Sequence, residues 1–456
     1  MDEMRKFLVE AAHVTPSDRQ MKWYDREFYA FVHFSPNTYT GLEWGLGDED
    51  ERIFNPTELD CDQWVEAIKS AGMKGMILTA KHHDGFCLWP SKYTEHSVKN
   101  CPLDIDVVKE ASEACRRGGI EFGFYLSPWD RNSKLYGTDE YNDYYKKQLV
   151  ELLTGYGDIF CVWLDGACGE GPNGRKQVYD FPGIIELVRK YQPGAVIFQD
   201  GGPDTRWIGN EAGTSRVSEW AVVPNELCKL TSGPQSGPGP WYVEGVDQLD
   251  YLYNPQEDIG SDGLIARSRG LNFCGAEVDM SIRPGWFYHE NEEPYSVERL
   301  MKTYMNSVGH NACFNLNIPP MPNGKFDPRD VKRLAEFGQA LKDAFGNNLA
   351  EGKAVERHDR PAGNQCEFVV ELGEELEISY VELREQIARG QRVTGYRIML
   401  RDSFGIWRDL TGGATIGHKQ INPLAIPGHS GIKTDAVKVL ITGARDRVED
   451  IGIALY

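Results

Sequence analysis

Positive charge is scarce in this 456-residue chain: 49 lysines and arginines face 69 aspartates and glutamates, for a formal net charge of −20. No Lys/Arg cluster offsets that balance, which argues against a partner held through phosphates, nucleic acid above all. Acidity of this size speaks of solubility and does not mark a function. Long apolar runs are missing as well. None approaches the roughly 18–20 residues that cross a bilayer, so no membrane partner is expected. The ten cysteines include no CxxC pair of the kind found in zinc and redox sites. Cys161 and Cys313 stand inside apolar runs, where thiols act as small buried hydrophobes. The first residues show no basic-then-apolar export pattern. The expected setting is reduced and cytoplasmic.

What is present is a long alternation. Short β-type apolar runs at 28–33, 75–80, 122–126, 158–164, 195–199 and 312–316 are separated by segments with helical spacing, such as 61–71, 105–117, 139–154 and 183–191. Repeated β-then-α units imply a parallel sheet. Over a stretch of this length, a closed (β/α)8-like barrel of the TIM type, with room for irregularity, is expected for residues 1–345. No G-x-G-x-x-G follows the first strand, which weakens a dinucleotide-binding alternative. After a helix at 330–345 the texture changes to short alternating strands near 367–371, 378–383, 395–400 and 436–441. These predict a C-terminal β-sandwich over residues 346–456. The Ser232-Gly-Pro-Gln-Ser-Gly-Pro-Gly-Pro240 stretch reads as a surface loop.

In a barrel, the polar residues just past the strand ends build the active site. Those ends carry His33-Phe-Ser with Glu43-Trp44, Lys81-His82-His83-Asp84, Tyr125 with Trp129-Asp130, Asp165-Gly166, and Asp200 with Asp204, Arg206, Trp207 and Glu211. Aromatic faces cover the apolar side of a pyranose, while imidazoles and carboxylates bind its hydroxyls. A carboxylate pair then divides the labour: one attacks the anomeric carbon, and the other protonates the leaving oxygen and later activates water. Asp165 follows an entirely apolar strand, where a carboxylate is costly unless it is used or paired. Capping a helix or pairing with a structural arginine would account for it equally. Adjacent side chains on an extended segment point opposite ways, so of His82 and His83 one could line the pocket while the other is core, and position alone leaves both readings open. Glu211, Glu219 and Glu43 compete for the acid/base role, and Trp286 reads as packing or as a sugar platform.

These motifs carry a resemblance. His33-Phe-Ser-Pro with Glu43-Trp44, Lys81-His-His-Asp-Gly-Phe86, Phe124-Tyr-Leu-Ser127, Val162-Trp-Leu-Asp-Gly166, Ser281-Ile-Arg-Pro-Gly-Trp286 and Asn315-Leu-Asn-Ile-Pro-Pro resemble α-L-fucosidases of glycoside hydrolase family 29. The resemblance implies Asp165 as nucleophile and a fucose pocket formed by His33, Glu43, Trp44, His82, His83, Tyr125 and Trp286, with no cofactor and no metal. The Arg206-to-Gly213 segment resembles the subfamily acting on α1,3- and α1,4-linked fucose in branched Lewis-type oligosaccharides. There the acid/base is a Glu about 45 residues after the nucleophile. Position 211 lies 46 residues beyond 165 and position 219 lies 54 beyond, so the resemblance implies Glu211, with Glu219 in reserve. Trp129 and the loop 168–181 are expected on the leaving-group side, with Asp180 as a contact for the branching galactose.

Two other readings stay open. A metal-dependent barrel hydrolase would use His82, His83 and Asp165, but His33-Phe34-Ser35 lacks the second histidine of an H-x-H, leaving the ligand count short. A non-catalytic glycan-binding protein would need one carboxylate to be missing, and both Asp165 and Glu211 are present.

Overall fold

The computed structural model describes residues 3–199, 202–225, 258–266, 268, 270–361, 364–424 and 431–456. Asp200 and the expected loop 232–240 lie outside them. Eight strands close a barrel: β1 (Phe28–Val32), β2 (Gly75–Lys81), β3 (Glu121–Leu126), β4 (Cys161–Trp163), β5 (Val196–Phe198), β6 (Thr205–Trp207), β7 (Gly275–Ser281) and β8 (Ala312–Asn317). Each pairs in parallel with its neighbours in sequence, and β8 closes on β1. Six of these strands fall on the runs read from the sequence. The other two, β6 and β7, carry Arg206, Glu277 and Asp279, which hide them from an apolar count.

Alternation along each strand sorts its side chains between two apolar bodies. Phe28, Ala30 and Val32 face the helical shell, whereas Tyr29 and Phe31 face the barrel interior with Ile77, Tyr125, Cys161, Trp163 and Phe198. The shell helices include α1 (Cys61–Ser70), α2 (Val107–Gly118), α3 (Asp139–Gly155), α4 (Phe181–Tyr191), α5 (Val297–Met305) and α6 (Pro328–Phe345). Asp60, Asp106, Asp180, Ser296 and Asp327 cap five of them, each side chain accepting a first-turn amide. Nine cysteines fall among the described residues, all free and eight of them buried.

The barrel interior is partly polar. Glu277 on β7 is fully buried and accepts hydrogen bonds from Trp163 Nε1 (2.8 Å), Asn315 Nδ2 (3.1 Å) and the Tyr29 hydroxyl. Burial pushes its carboxyl up to about 7, against the pull of those donors.

The C-terminal region forms two antiparallel sheets. Strands β9 (Val355–Asp359), β10 (Cys366–Ile378), β12 (Val393–Arg401), β13 (Trp407–Gly413) and β15 (Ile432–Ala444) build a five-stranded sheet in the order β9-β10-β15-β12-β13. Strands β11 (Tyr380–Glu385), β14 (Gln420–Pro423) and β16 (Ile451–Leu455) build a three-stranded one in the order β14-β11-β16. Inward residues such as Phe368, Val381, Ile398, Val439 and Ile453 share one core between them. Glu27, just ahead of β1, joins the two regions. Its carboxylate meets Arg384 (3.0 Å), Lys419 (2.6 Å) and His418 (3.3 Å), and these partners hold it well below the usual carboxylate range.

Candidate active site

At the mouth of the barrel the strand ends converge. Asp165, one residue past Leu164 at the end of β4, keeps 24% of its side-chain surface open. Its Oδ2 accepts the Tyr125 hydroxyl at 2.8 Å, and its Oδ1 accepts the Ala167 amide at 2.7 Å. Among the described residues no arginine holds it, which counts against the reading of Asp165 as half of a structural ion pair. Below it, the rings of Phe31, Tyr125 and Trp163 pack edge-on or tilted at 5.2–5.9 Å.

Three buried imidazoles surround the opening. The Nδ1 of His33 meets Asn317 Oδ1 at 2.8 Å. Asn317 Nδ2 donates to the Trp286 carbonyl (2.8 Å), which can only accept, so the amide orientation is determined and His33 carries its proton on Nδ1. The same logic applies at His83. Ser127 gives its single hydroxyl hydrogen to the Trp129 carbonyl (2.6 Å), so His83 Nδ1 donates to Ser127 Oγ (2.7 Å). His83 Nε2 is thus a lone pair, 3.8 Å from Asp165 Oδ2. His82 stacks on Tyr125 at 5.6 Å, and its buried Nδ1 has no hydrogen-bond partner. Burial lowers all three, His33 to about 3, which keeps them neutral at ordinary pH.

Neither histidine of the His82-His83 pair turns away from the pocket, although strand alternation allowed one of them to be core. Their ring centroids lie 4.2 Å apart, both beside pocket residues. The β2–β3 register shifts at Lys81, so the alternation rule stops before they begin. Lys81 itself is buried below them, donating to Asp130 (3.1 Å) and Gln148 (3.0 Å).

Two loops complete the rim. Glu43 receives the Trp286 amide on Oε2 and lies 2.9 Å from His289 Nε2 through Oε1. Trp44 is 61% exposed and meets Trp129 edge-on at 5.8 Å. The turn after them requires glycine: Gly45 has φ +64°, and a Cβ there would fall 2.5 Å from Asn37 Oδ1. Trp129 is clamped between the His83 ring (4.8 Å) and the Arg131 guanidinium (5.5 Å). Its indole donates to the Glu170 carbonyl at 3.1 Å, which fastens it to the loop after β4.

The glutamates separate. Glu211 is exposed, and its Oε2 accepts Trp286 Nε1 at 3.2 Å. Desolvation on its protein-facing side, together with the negative charges of Asp165 and Glu43, raises its carboxyl above the ordinary value, while the Trp286 bond opposes the rise. Glu219 has no exposed surface at all and is ion-paired to Arg206 and Arg216. Those guanidiniums lower it, which suits a permanently charged structural group. Asp180 is also committed elsewhere: it caps α4 and pairs with Lys146 at 3.0 Å.

Several residues at the site carried no role in the sequence reading. Asn317 links His33, Ser281 and Trp286. Asp279 accepts Trp207 Nε1 at 2.8 Å, and burial, with the negative charges of Glu211 and Glu277, raises it well above the carboxylate range. Arg283 binds Asp330 and the Glu292 carbonyl, holding the loop that carries Trp286 and His289. The Asn-Leu-Asn repeat on β8 was the available signal for Asn317. For Arg283 and Asp279 only the contact map supplies one. Among the described residues no group of three or more His, Cys, Asp or Glu is placed to hold a metal ion.

Comparison with known proteins gives a consistent answer. The family profile described as Alpha-L-fucosidase matches residues 11–344. "Alpha-L-fucosidase 1" of Arabidopsis thaliana is 38% identical over 436 residues, covering 89% of this chain and 81% of its own. A solved glycoside hydrolase 29 family member from an unknown rumen bacterium is 35% identical with a TM-score of 0.82, covering 98% and 78% of the two chains. A Ruminococcus gnavus GH29 fucosidase solved in complex with fucose is 28% identical with a TM-score of 0.80, covering 97% and 95%.

Proposed function

The chain belongs to the α-L-fucosidase family, glycoside hydrolase 29, and we propose that it releases fucose with retention of configuration from α1,3- and α1,4-linked, branched Lewis-type oligosaccharides. Asp165 is the nucleophile and Glu211 the acid/base. His33, Glu43, His82, His83, Tyr125 and Trp286 receive the fucose, while Trp44 and Trp129 form the rim toward the leaving group.

One observation carries this reading: Asp165 is an open carboxylate aimed by the Tyr125 hydroxyl and the Ala167 amide, while desolvation, together with the negative charge of Asp165, raises the carboxyl of Glu211. That is the division of labour a double displacement needs, a charged attacker beside a proton donor. Asp165 attacks C1 while Glu211 gives its proton to the departing oxygen. Glu211 then takes a proton from water, which displaces Asp165. The linkage preference rests on the Arg206-to-Gly213 resemblance alone.

Asp165→Gly tests the nucleophile. Hydrolysis of an aryl fucoside should fall by several orders of magnitude. Azide then enters the vacated space, forms the N–C1 bond as the phenolate leaves, and gives a fucosyl azide of inverted configuration. Residual hydrolysis near the wild-type rate, or an azide of retained configuration, would count against Asp165. The ratio of kcat/KM between a branched Lewis trisaccharide and a simple aryl fucoside tests the linkage reading. A ratio far below one would overturn it.

A further inference from the structure

Glu211 sits on a stretch without regular structure: residues 208–221 include neither helix nor strand. No ladder fixes its backbone, so something else must. Only ten residues on, the same stretch is gripped from outside the barrel. The Glu219 carbonyl accepts Asn311 Nδ2 at 2.8 Å. Asn311 adopts φ 64°, rare for a side-chain-bearing residue; its carbonyl accepts the Tyr24 hydroxyl at 3.4 Å, and two further bonds go to the C-terminal sandwich. Its amide donates to the Lys419 carbonyl (2.8 Å), and its Oδ1 accepts the His418 amide (2.7 Å). The Ala221 amide donates to Gln391 Oε1 at 2.9 Å. Gln391 belongs to the sandwich, is fully buried, and is braced through Nε2 by Thr415 Oγ1 at 2.6 Å. Between these two holds, the Trp220 ring lies 4.1 Å from the Arg445 guanidinium, another sandwich residue, itself fixed to Asp262 at 2.9–3.0 Å.

Three separate sandwich loops, around 391, 415–419 and 445, thus converge on residues 219–221. The hold reaches the active site by a short route. Glu219 is ion-paired to Arg206 on β6, five residues ahead of Glu211. The loop bearing Glu211 is therefore tied off on both sides, on β6 before it and on the sandwich after it.

We propose that the C-terminal sandwich is part of the catalytic apparatus as the anchor of the acid/base loop, with Gln391 and Arg445 as positioning residues. The inference rests on Glu211 being the acid/base. Proton donation depends steeply on the donor's placement, and displacements of about 1 Å cost up to ~10²-fold. An unanchored loop harms that step before any other.

Gln391→Met keeps the length of the side chain but removes the acceptor for Ala221. The expected result is a loss of about tenfold in kcat on a fucosylated oligosaccharide, whose sugar leaving group needs a proton. The burst of phenol from a fucoside with an acidic phenol should change less than about twofold, because that group departs without one. KM should barely move. Gln391→Glu, which restores an acceptor of the same reach, should recover the oligosaccharide rate. Arg445→Lys, which keeps the charge and loses the fork, should repeat the pattern and takes over if Gln391→Met does not fold. Equal losses on both substrates would mean a merely structural contact and would overturn the proposal, as would no loss at all. Glu211→Ala run alongside distinguishes the two levels of failure. If it also lacks leaving-group dependence, the acid/base assignment falls and takes the anchor with it. If it shows that dependence while the sandwich variants do not, only the anchor falls.

Discussion

Replacing Trp286 by Phe isolates one hydrogen bond at Glu211, the proposed acid/base. The indole Nε1 donates to Glu211 Oε2 at 3.2 Å, whereas the Trp286 backbone is held independently, its amide by Glu43 and its carbonyl by Asn317. Phe should keep the ring in place and remove only the N–H. That bond stabilises the charged carboxylate and opposes the upward shift of Glu211. Its loss raises the carboxyl further, so Glu211 stays protonated to higher pH and the alkaline limb of kcat/KM moves up. A hydrogen bond to a buried charge contributes about 1.5–3 kcal/mol. Here the carboxylate is exposed, the bond is long, and water replaces the lost donor, leaving roughly 0.5–1 kcal/mol. At about 1.4 kcal/mol per pH unit, the limb should move up by about half a unit. The assay is kcat/KM against pH on a substrate with a sugar leaving group. A limb that stays put, or moves to lower pH, would refute the reasoning.

Two further predictions concern stability. Glu277 is raised from 4.5 to about 7, so its contribution is fully present below pH 4.5 and is lost as pH rises through 7. The difference corresponds to roughly 3 kcal/mol. Glu277→Gln, fixed in the neutral form, should show a smaller fall in Tm between pH 5 and 8 than the wild type, and an equal fall would contradict the assignment. Glu27→Gln leaves buried Lys419 and the partly open Arg384 facing only Glu382 among the described residues, and should cost about 2–3 kcal/mol once solvent screening at Arg384 is allowed for. Calorimetry showing Tm within a degree or two of wild type would mean that the cluster joining barrel and sandwich is dispensable.

Much of the architecture was legible because apolar alternation survives in most strands. It failed where the barrel interior is polar. Strand β7 reads Gly-Ala-Glu-Val-Asp-Met-Ser, and its inward positions are Glu277 and Asp279, so the side facing the core looks like a solvent face. Strand β6 is three residues with a buried arginine at its centre, and no apolar count finds it. At the site, residue types past strand ends located Asp165, His33 and the His82-His83 pair, because sugar chemistry demands polar groups there. Spacing within the family resemblance favours Glu211 over Glu219, and the structure adds what sequence could not carry: Glu211 is exposed, whereas Glu219 is enclosed by Arg206 and Arg216. Arg283 acts on Asp330, 47 residues away in sequence, and spacing carries no trace of that.

The gap between His83 and Asp165 has a consequence of its own. Across 3.8 Å, a nitrogen lone pair faces a carboxylate oxygen, two acceptors with no hydrogen between them. A sugar hydroxyl brings one hydrogen and can answer only one side. A secondary ammonium brings two, together with a positive charge beside the carboxylate. The gap is therefore better matched by a ring nitrogen than by the ring oxygen of the sugar it processes. An imino analogue of fucose should bind more tightly than its oxygen counterpart, and the advantage should shrink on N-alkylation, which removes one of the two hydrogens while the charge remains.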